Sequence, residues 1–340
     1  MPSPSLMDFQ QTLHPAIETA LKASFEVHNF SHSPTLKDML AYHMGWEENE
    51  KTSGHGKRIR PLITLLCTGA FNAPIENALP AAAAIEFLHN FTLIHDDIED
   101  KSPRRHGRPT LWTQCGIAQA INAGDALFSI AQLTMHDLVK TTDEVIAIQA
   151  IRRLNQVCLQ LTQGQHLDIA FESEQKVDTQ AYLTMIAGKT GALIALSATM
   201  GGLVAYQSQD HLALLAEFGE SLGLAFQIQD DILGIWGDSK TIGKSTASDI
   251  LTHKKTLPIL FGLQHCPEFQ KAWQKQDVSH KQVERMSVIL SSCGAQAYTR
   301  SQVNIYTKKA IDALEHLFSH KNAYAQALFD LTEKLLNRDF

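Results

Sequence analysis

Apolar residues recur along this 340-residue chain at helical spacing, as in Leu127, Ile130, Ala131, Met135 and Leu138. Alternating runs of β-branched residues, which would predict strands, are scarce. The 19 glycines and 11 prolines fall short of the roughly 12 % that these residues contribute to an average protein, and this favours long helices over many short strands. The pattern predicts an all-α protein. Because no repeat or break in composition divides the chain, we expect a single domain over residues 1–340.

Two long helices have predictable ends. Pro80 is well placed to open a helix over residues 80–99, because proline fits the first turn of a helix, and Ser102-Pro103 should stop it. A second long helix is predicted over about residues 212–235. The uncharged stretch 190–209 imitates a membrane span, but its Gly, Ser, Thr and Gln residues favour a tightly packed buried helix.

The composition excludes several classes of protein. A net charge of −7 argues against general nucleic-acid binding, which needs a basic surface. The five cysteines lack CxxC spacing, so we expect neither a disulfide framework nor a zinc site, and a reducing cytoplasm fits. The first residues show no basic region followed by an apolar run, so we expect no signal peptide. These features predict a cytoplasmic protein without integral membrane association.

A first acidic motif ends the helix predicted over residues 80–99. The segment reads Asp96-Asp97-Ile98-Glu99-Asp100, and Asp96 and Asp100, four residues apart, would share one helix face. Neighbouring carboxylates repel each other, and a cation would hold them together. Carboxylate oxygens alone indicate Mg²⁺ rather than zinc. For this motif by itself, a solvated acidic helix end remains an alternative, and His95 beside it is more typical of a core histidine than of a metal ligand.

A second acidic pair, Asp230-Asp231, lies near the end of an otherwise apolar helix. Two carboxylates are costly in such a helix unless they are compensated. If the two helices face each other, the acidic pairs would form opposing walls around Mg²⁺. The alternative is that Asp230 and Asp231 mark the solvated end of the helix.

Basic residues accompany both acidic motifs. Arginine and lysine suit phosphate oxygens, which Mg²⁺ can bridge to aspartates. Each basic cluster alone is more typical of a solvated face, but together with the paired aspartates they predict a Mg²⁺–diphosphate site. The basic segments are Gly56 to Pro61, Pro103 to Arg108, Lys189-Thr190, Lys244 and Lys254 to Thr256.

In this order the motifs resemble the trans-polyprenyl diphosphate synthases, which lengthen isoprenoid chains. The resemblance covers residues 54–258 and extends more weakly beyond them. It implies an all-α helical bundle of the isoprenoid synthase type around a deep central cavity, usually as a homodimer. The matching segments are Gly54 to Pro61, Asp96 to Asp100 with Arg104-Arg105, Lys189-Thr190, Phe226 to Asp231, Gly243-Lys244 and Lys254 to Pro258.

The resemblance also implies substrates and residue roles. Asp96, Asp100 and Asp230 would ligate Mg²⁺, about three ions with substrate bound. Asp97, Lys189 and Asp231 would complete the catalytic set. The residues expected to hold the allylic diphosphate are Arg104, Lys189, Thr190, Gln227, Lys244 and Lys254. Those expected to bind isopentenyl diphosphate are Gly56, Lys57, Arg60, His89 and Arg105. His89 stands where some members have Gln, and either side chain can donate a hydrogen bond.

One position departs from the family pattern. The second motif often reads Asp-Asp-x-x-Asp, but here the fifth position is Gly234. The third carboxylate is therefore missing or displaced. Because Asp230 and Asp231 both remain, we expect metal binding to survive. Some bacterial members look similar in this segment.

Product length is expected to depend on three residues that precede Asp96 in the same predicted helix. One helical turn rises 5.4 Å, close to the roughly 5 Å span of an isoprene unit, so bulk one turn below the metal would limit the growing chain early. Leu88, Phe91 and Thr92 lie in this stretch, and the aromatic with a small neighbour resembles members that produce C20 geranylgeranyl diphosphate. C15 farnesyl diphosphate is the alternative. Ordinary core packing is an equally good explanation of Phe91.

Three other functions remain open on the sequence. A class I terpene cyclase shares an acidic metal motif, but would not need the basic segment Gly56 to Arg60 for a second diphosphate. A non-catalytic subunit of a heteromeric synthase usually has eroded motifs. A helical scaffold protein has no reason to combine these charges in this order.

Overall fold

The computed structural model describes residues 4–46, 56–237, 248–274 and 279–336. These residues are helical almost throughout, which confirms the predicted all-α class. The helices are α1 Leu6–Glu26, α2 Pro34–Met44, α3 Ile59–Ala70, α4 Leu79–Glu99, α5 Leu111–Cys115, α6 Ile117–His136, α7 Glu144–Ser173, α8 Thr179–Ile186, α9 Ala192–Val204, α10 Gln209–Trp236, α11 Ser248–Leu251, α12 Leu257–His265, α13 Pro267–Trp273, α14 His280–Ser292, α15 Ala295–Leu317 and α16 Ala323–Leu336. Two strands, β1 Arg104–Arg105 and β2 Arg108–Pro109, pair antiparallel.

The chain divides into two compact units. The first comprises Met1–Cys158, Leu196–Leu212 and His320–Leu328, and the second comprises Leu159–Ala195, Ala213–Ser319 and Phe329–Phe340. The single domain expected from the sequence stays a prediction.

The first unit is built around α4. Pro80 lies in the first turn of α4, as predicted, and the helix ends at Glu99. The chain then turns through Lys101, which has a left-handed φ of 51°. A run of four buried alanines, 81–84, lets neighbouring helices approach α4 closely. On α6, an added Cβ at Gly124 would lie 2.2 Å from Nε2 of His95, so the glycine makes room for the last turns of α4.

The second unit is built around the C-terminal part of α10. An apolar cluster includes Tyr182, Ile228, Ile232 and Leu257, all of them almost fully buried. The helix predicted over 212–235 is confirmed, with one more turn at its start. This cluster fixes one face of α10, so that the polar residues of the same helix keep defined positions.

The predicted buried helix over 190–209 is partly wrong in its bounds. Helical structure runs over Thr179–Val204, through α8, a π-helical turn at Ala187–Gly191 and α9, and ends five residues before Gln209. Among the described residues this is one stretch long and apolar enough to cross a membrane, and 56 % of its apolar window is buried inside the protein. Such burial is typical of a core helix.

Candidate active site

The predicted site residues fall into two groups. The first unit carries Gly56, Lys57, Arg60 and the acidic motif on α4, with His89, Arg104 and Arg105. The second unit carries Lys189, Thr190, Gln227, Asp230, Asp231 and Lys254. Lys244 lies outside the described residues.

The first acidic motif presents its carboxylates in two directions. Asp96 and Asp100 share one face at the end of α4 and are at least partly exposed, whereas Asp97 is 3 % exposed. Burial raises the pKa of Asp97, and the adjacent Arg105 offsets only part of that rise. Asp96 and Asp100 are therefore accessible to a ligand, and Asp97 faces into the protein.

Arg105 lies in a tight hairpin and forms an ion pair with Asp97. Its Nε donates to both carboxylate oxygens of Asp97 at 3.0 and 3.1 Å, and its Nη2 lies 2.9 Å from Oδ1. Between β1 and β2, His106 and Gly107 both have positive φ values, 50° and 79°, as a two-residue type I′ hairpin requires. The turn and the ion pair together fix the direction of Arg105 beside the acidic motif.

The basic residues around the start of α3 lie in three different environments. Lys57 is exposed. Arg58 is buried and forms ion pairs with Glu86 at 2.8 Å and Glu18 at 2.7 Å, so its role is structural. Removing one partner of such a buried pair typically costs 3–5 kcal/mol. Arg60 contacts His89 on α4.

Arg60 and His89 form a hydrogen-bonded pair. Nη1 of Arg60 lies 3.0 Å from Nε2 of His89. Arginine can only donate, so Nε2 accepts and the imidazole proton is on Nδ1. Burial, followed by the positive charge of Arg60 and Arg105, holds the pKa of His89 well below its usual value of 6.5. His89 is therefore a neutral side chain with one donor, Nδ1, that Arg60 does not use.

The three residues expected to limit product length lie on α4. Leu88 is fully buried, and Thr92 donates its hydroxyl to the carbonyl of His89 at 2.7 Å. The ring of Phe91 packs 4.9 Å from the ring of His95 and 5.4 Å from that of Phe128 on α6. A core-packing role of Phe91 is therefore real, and its chain-length role stays a prediction.

In the second unit, close approach of two backbones positions Lys189. An added Cβ at Gly164 on α7 would lie 2.3 Å from the backbone nitrogen of Lys189. The π-helical turn carries Lys189 there, and such turns are frequent at functional sites. Nζ of Lys189 donates to Oδ2 of Asp168 at 2.5 Å, and Nζ of Lys254 lies 3.5 Å from the same oxygen. Asp168 thus holds two of the lysines predicted to bind diphosphate.

A second close approach positions Thr190 and Gln227. An added Cβ at Gly223 on α10 would lie 2.5 Å from Cα of Gly191. One turn further along α10, Oε1 of Gln227 accepts a 3.0 Å hydrogen bond from the Thr190 hydroxyl. Nε2 of Gln227 donates to Oδ1 of Asp231 at 3.3 Å. The glycines therefore bring the two predicted residues into direct contact.

The second acidic pair also splits into an accessible and a buried carboxylate. Asp230 is half-buried, whereas Asp231 is 4 % exposed. Asp231 accepts hydrogen bonds from the Tyr182 hydroxyl and, at 3.0 Å, from the backbone N–H of Leu257. Burial, followed by the charge of Asp249, raises the pKa of Asp231 to about 7. Asp231 ties α8 and the start of α12 to α10.

The chain is similar in sequence to proteins of a known family. A sequence profile of the Polyprenyl synthetase family matches residues 48–291. The chain belongs to this family. It is a prenyltransferase of isoprenoid biosynthesis, with the all-helical isoprenoid synthase fold.

Three relatives show the extent of the similarity. The chain is 41 % identical over 231 residues to geranylgeranyl diphosphate synthase of Mycobacterium tuberculosis, covering 67 % of this chain and 65 % of that protein. It is 32 % identical over 316 residues to (2E,6E)-farnesyl diphosphate synthase of Mycobacterium bovis, covering 90 % and 87 %. The structure of geranylgeranyl pyrophosphate synthetase from Pyrococcus horikoshii superposes with a TM-score of 0.88 at 28 % identity, covering 98 % and 99 %.

The acidic residues of this synthase suit the Mg²⁺ that its family generally uses. Within the described ranges, no three His, Cys, Asp or Glu side chains cluster closely enough to hold a metal by themselves. Mg²⁺ usually takes one or two carboxylates and completes its octahedron with water and phosphate oxygens. In the first unit, the oxygen donors of Asp96 and Asp100 on one helix face fit that mode of binding. In the second unit, the carboxylate of Asp230 fits it as well.

Sequence reasoning missed Asp168 and Tyr182 in this synthase. Asp168 lies near the C-terminal end of α7, four residues after Gly164, and a carboxylate one helical turn after a glycine was the available signal. Tyr182 gave no signal, because a tyrosine in an apolar helix is typical of an ordinary core.

We expect Asp168→Asn to remove stability that depends on pH. Burial would raise the pKa of Asp168, but the charges of Lys254 and Lys189 outweigh it and hold the pKa below its usual 3.8. The native state thus keeps this carboxylate ionised at a pH where the unfolded chain already binds the proton. The variant should lose about 2 kcal/mol of unfolding free energy at pH 7, and the gap to wild type should shrink as the pH falls below about 4.

Urea unfolding from pH 7 to pH 3 measures this gap. Glu172→Gln, an exposed acid on the same helix, is the matched control and should stay within about 0.5 kcal/mol of wild type. A gap for Asp168→Asn that is constant over the whole range would contradict the role assigned to its charge.

Proposed function

We propose that this synthase condenses isopentenyl diphosphate with allylic diphosphates, head to tail, to form all-trans C20 geranylgeranyl diphosphate, with C15 farnesyl diphosphate as the alternative. One observation carries the proposal: in the first unit, His89 holds Arg60, and Asp97 of the first acidic motif holds Arg105. A second cationic set next to a metal motif serves a second diphosphate, which a class I terpene cyclase would not need.

The allylic diphosphate is assigned to the acidic motifs and the lysines. Asp96, Asp100 and Asp230 hold Mg²⁺, about three ions in the full complex. Lys189 and Lys254 are already directed by Asp168, so they lose little conformational freedom when they bind phosphate oxygens. The remaining members of this set are Arg104, Thr190, Gln227 and Lys244.

Isopentenyl diphosphate is assigned to the cationic set of the first unit. Lys57 is exposed and can reach a ligand, and Arg60 and Arg105 hold fixed directions. The unused Nδ1–H of His89 can donate one more hydrogen bond, and Gly56 offers its backbone N–H. Asp97 acts here as a positioning residue for Arg105.

Charge explains the chemistry. When bound, Mg²⁺ neutralises the diphosphate leaving group. Lys189, Lys254 and Arg104 stabilise the negative charge that develops on diphosphate as the allylic C–O bond breaks. The isopentenyl double bond attacks the resulting allylic cation, and the departing diphosphate accepts the surplus proton. An apolar environment around the allylic cation excludes water, which would otherwise capture the cation.

The assembly and location of the enzyme belong to the same proposal. Ile117 and Ile121, one turn apart on α6, are 54 % and 41 % exposed, an apolar patch that a second copy of the chain would cover. We infer a cytoplasmic homodimer, folded as one domain per chain. Light scattering should give about twice the chain mass of 37.7 kDa.

His89→Gln should keep the kcat and the KM for isopentenyl diphosphate within about threefold of wild type. Because His89 is held neutral, an amide can replace it, accepting from Arg60 through its oxygen and donating through its nitrogen. His89→Leu, which can do neither, should raise that KM at least about tenfold. Equal KM values for the two variants would contradict the assignment of His89 to this substrate.

Phe91→Ala should shift the products beyond C20. Removal of the ring opens space one helical turn before Asp96, where the growing chain is expected to run. Product lengths measured by chromatography after dephosphorylation check this. Phe128→Ala, which removes the partner ring on α6, separates a chain-length role of Phe91 from general loosening of the aromatic cluster. An unchanged product profile for Phe91→Ala would refute the role.

The test of the proposed function is turnover of the purified full-length chain with Mg²⁺, labelled isopentenyl diphosphate and each allylic primer in turn. A linear C20 diphosphate supports the proposal, and a C15 product selects the alternative. A cyclic hydrocarbon would instead show a cyclase, and no turnover would show a non-catalytic subunit or scaffold.

A further inference from the structure

The second acidic motif has a glycine at the position where the family often has its third aspartate. Gly234 follows Asp230 by four residues on α10, so the two positions share a helix face. A side chain at this position would point to the same side as Asp230.

That position is filled from another element. An added Cβ at Gly234 would lie 2.3 Å from Oδ2, 2.7 Å from Cγ and 2.9 Å from Oδ1 of Asp249. The carboxylate of Asp249, from α11, therefore occupies the space that a residue 234 side chain would take.

The local structure of α11 holds Asp249 there. Ile250 is fully buried in an apolar cluster with Ile235 of α10. The backbone N–H of Lys254 donates to the carbonyl of Asp249 at 3.0 Å. The same short segment thus carries Asp249 to Gly234 and Lys254 to Asp168.

We propose that Asp249 supplies the third carboxylate of the second acidic motif, and that glycine is required at position 234 because any side chain there would displace it. The pair Gly234 and Asp249 replaces the single aspartate of the common pattern. This inference rests on the proposed function, since it concerns how the enzyme holds Mg²⁺ with a diphosphate.

A side-chain exchange tests the pair. The variants are Asp249→Ala, Gly234→Asp, and the double variant with both changes, with Glu217→Gln, an exposed acid on α10, as control. One readout is the rise in melting temperature on adding MgCl₂ with inorganic pyrophosphate. The other is the Mg²⁺ concentration that gives half-maximal turnover.

We expect Asp249→Ala to lose most of the melting-temperature rise and to need about tenfold more Mg²⁺. Gly234→Asp should be impaired as well, through steric and like-charge conflict with Asp249. The double variant should recover to within about threefold of wild type, because it restores one carboxylate in the same space. Should Asp249→Ala fail to fold, Asp249→Asn, which keeps the volume, takes its place.

The outcomes separate this inference from the proposed function. A wild-type response in Asp249→Ala, or a double variant no better than Asp249→Ala, overturns the inference while wild-type turnover leaves the function standing. Absence of both the melting-temperature rise and turnover in the wild type would overturn both.

Discussion

Asp96→Ala and Asp230→Ala should each lower turnover about 1,000-fold or more while the protein remains folded. Each change removes a carboxylate from the set assigned to Mg²⁺, and both side chains are partly exposed, so their loss leaves no cavity in the core. Steady-state kinetics at saturating Mg²⁺, with circular dichroism and melting temperature as folding checks, measure the effect.

The neighbouring Glu99→Gln provides the control for charge alone. Glu99 is exposed on the last turn of α4 and belongs to neither substrate set, so its variant should keep near-wild-type turnover. Wild-type turnover in Asp96→Ala or Asp230→Ala would remove the metal role from that residue.

Gly164→Ala should lower kcat about 100-fold. It should also lower the free energy of unfolding, but too little to unfold the protein. The new methyl group would lie 2.3 Å from the backbone nitrogen of Lys189, and backbone cannot move aside as a flexible side chain does. The π-helical turn must shift, which takes Lys189 away from Asp168. Misplacement of a catalytic group by about 1 Å can cost about 100-fold in rate, whereas overpacking typically costs about 1–3 kcal/mol.

Gln163→Ala is the matched control, because this exposed neighbour on α7 already carries a Cβ and its truncation to alanine introduces no clash. The kcat of Gly164→Ala should fall while the KM for isopentenyl diphosphate, assigned to the other unit, changes little. An unchanged kcat, or a loss of kcat that disappears under conditions where the variant is fully folded, would show that the close approach serves stability alone.

The adjacent aspartates of both motifs follow one rule. Neighbouring helix positions point about 100° apart, so one carboxylate of each pair can face a ligand while the other faces the protein. Asp96 and Asp230 are partly exposed, whereas Asp97 and Asp231 are almost fully buried. Of the two buried residues, Asp97 directs Arg105 and Asp231 joins α8, α10 and α12. Their predicted catalytic role stays a prediction, and the structure supports an indirect one.

The sequence predicted those features that depend on local pattern. The bounds of α4 followed from Pro80 and Ser102-Pro103, and α10 followed from its apolar spacing. The contact of Thr190 with Gln227 involves two residues that were both expected at one substrate. Charged residues within apolar helices were informative, because burying a charge costs free energy unless a partner compensates for it.

Features that depend on contacts between distant segments could not be predicted. Asp168 lies 21 residues from Lys189 in sequence, and their pairing depends on glycines that let two backbones touch. The end of α9 at Val204 was missed because composition alone does not reveal the turn through Tyr206, whose φ is 57°. The hairpin at Arg104–Pro109 was too short for strand patterning to reveal.

The most direct test of the central claim, that the allylic substrate ionises before the new bond forms, is the rate with a fluorinated allylic diphosphate. Fluorine near the reacting carbon destabilises a cation while changing size little. We predict that single-turnover condensation slows at least about 100-fold, which corresponds to about 2.7 kcal/mol in the barrier, with no comparable change in binding. An equal rate for the two substrates would contradict the account, because bond formation would then not require the charge that these residues are arranged to stabilise.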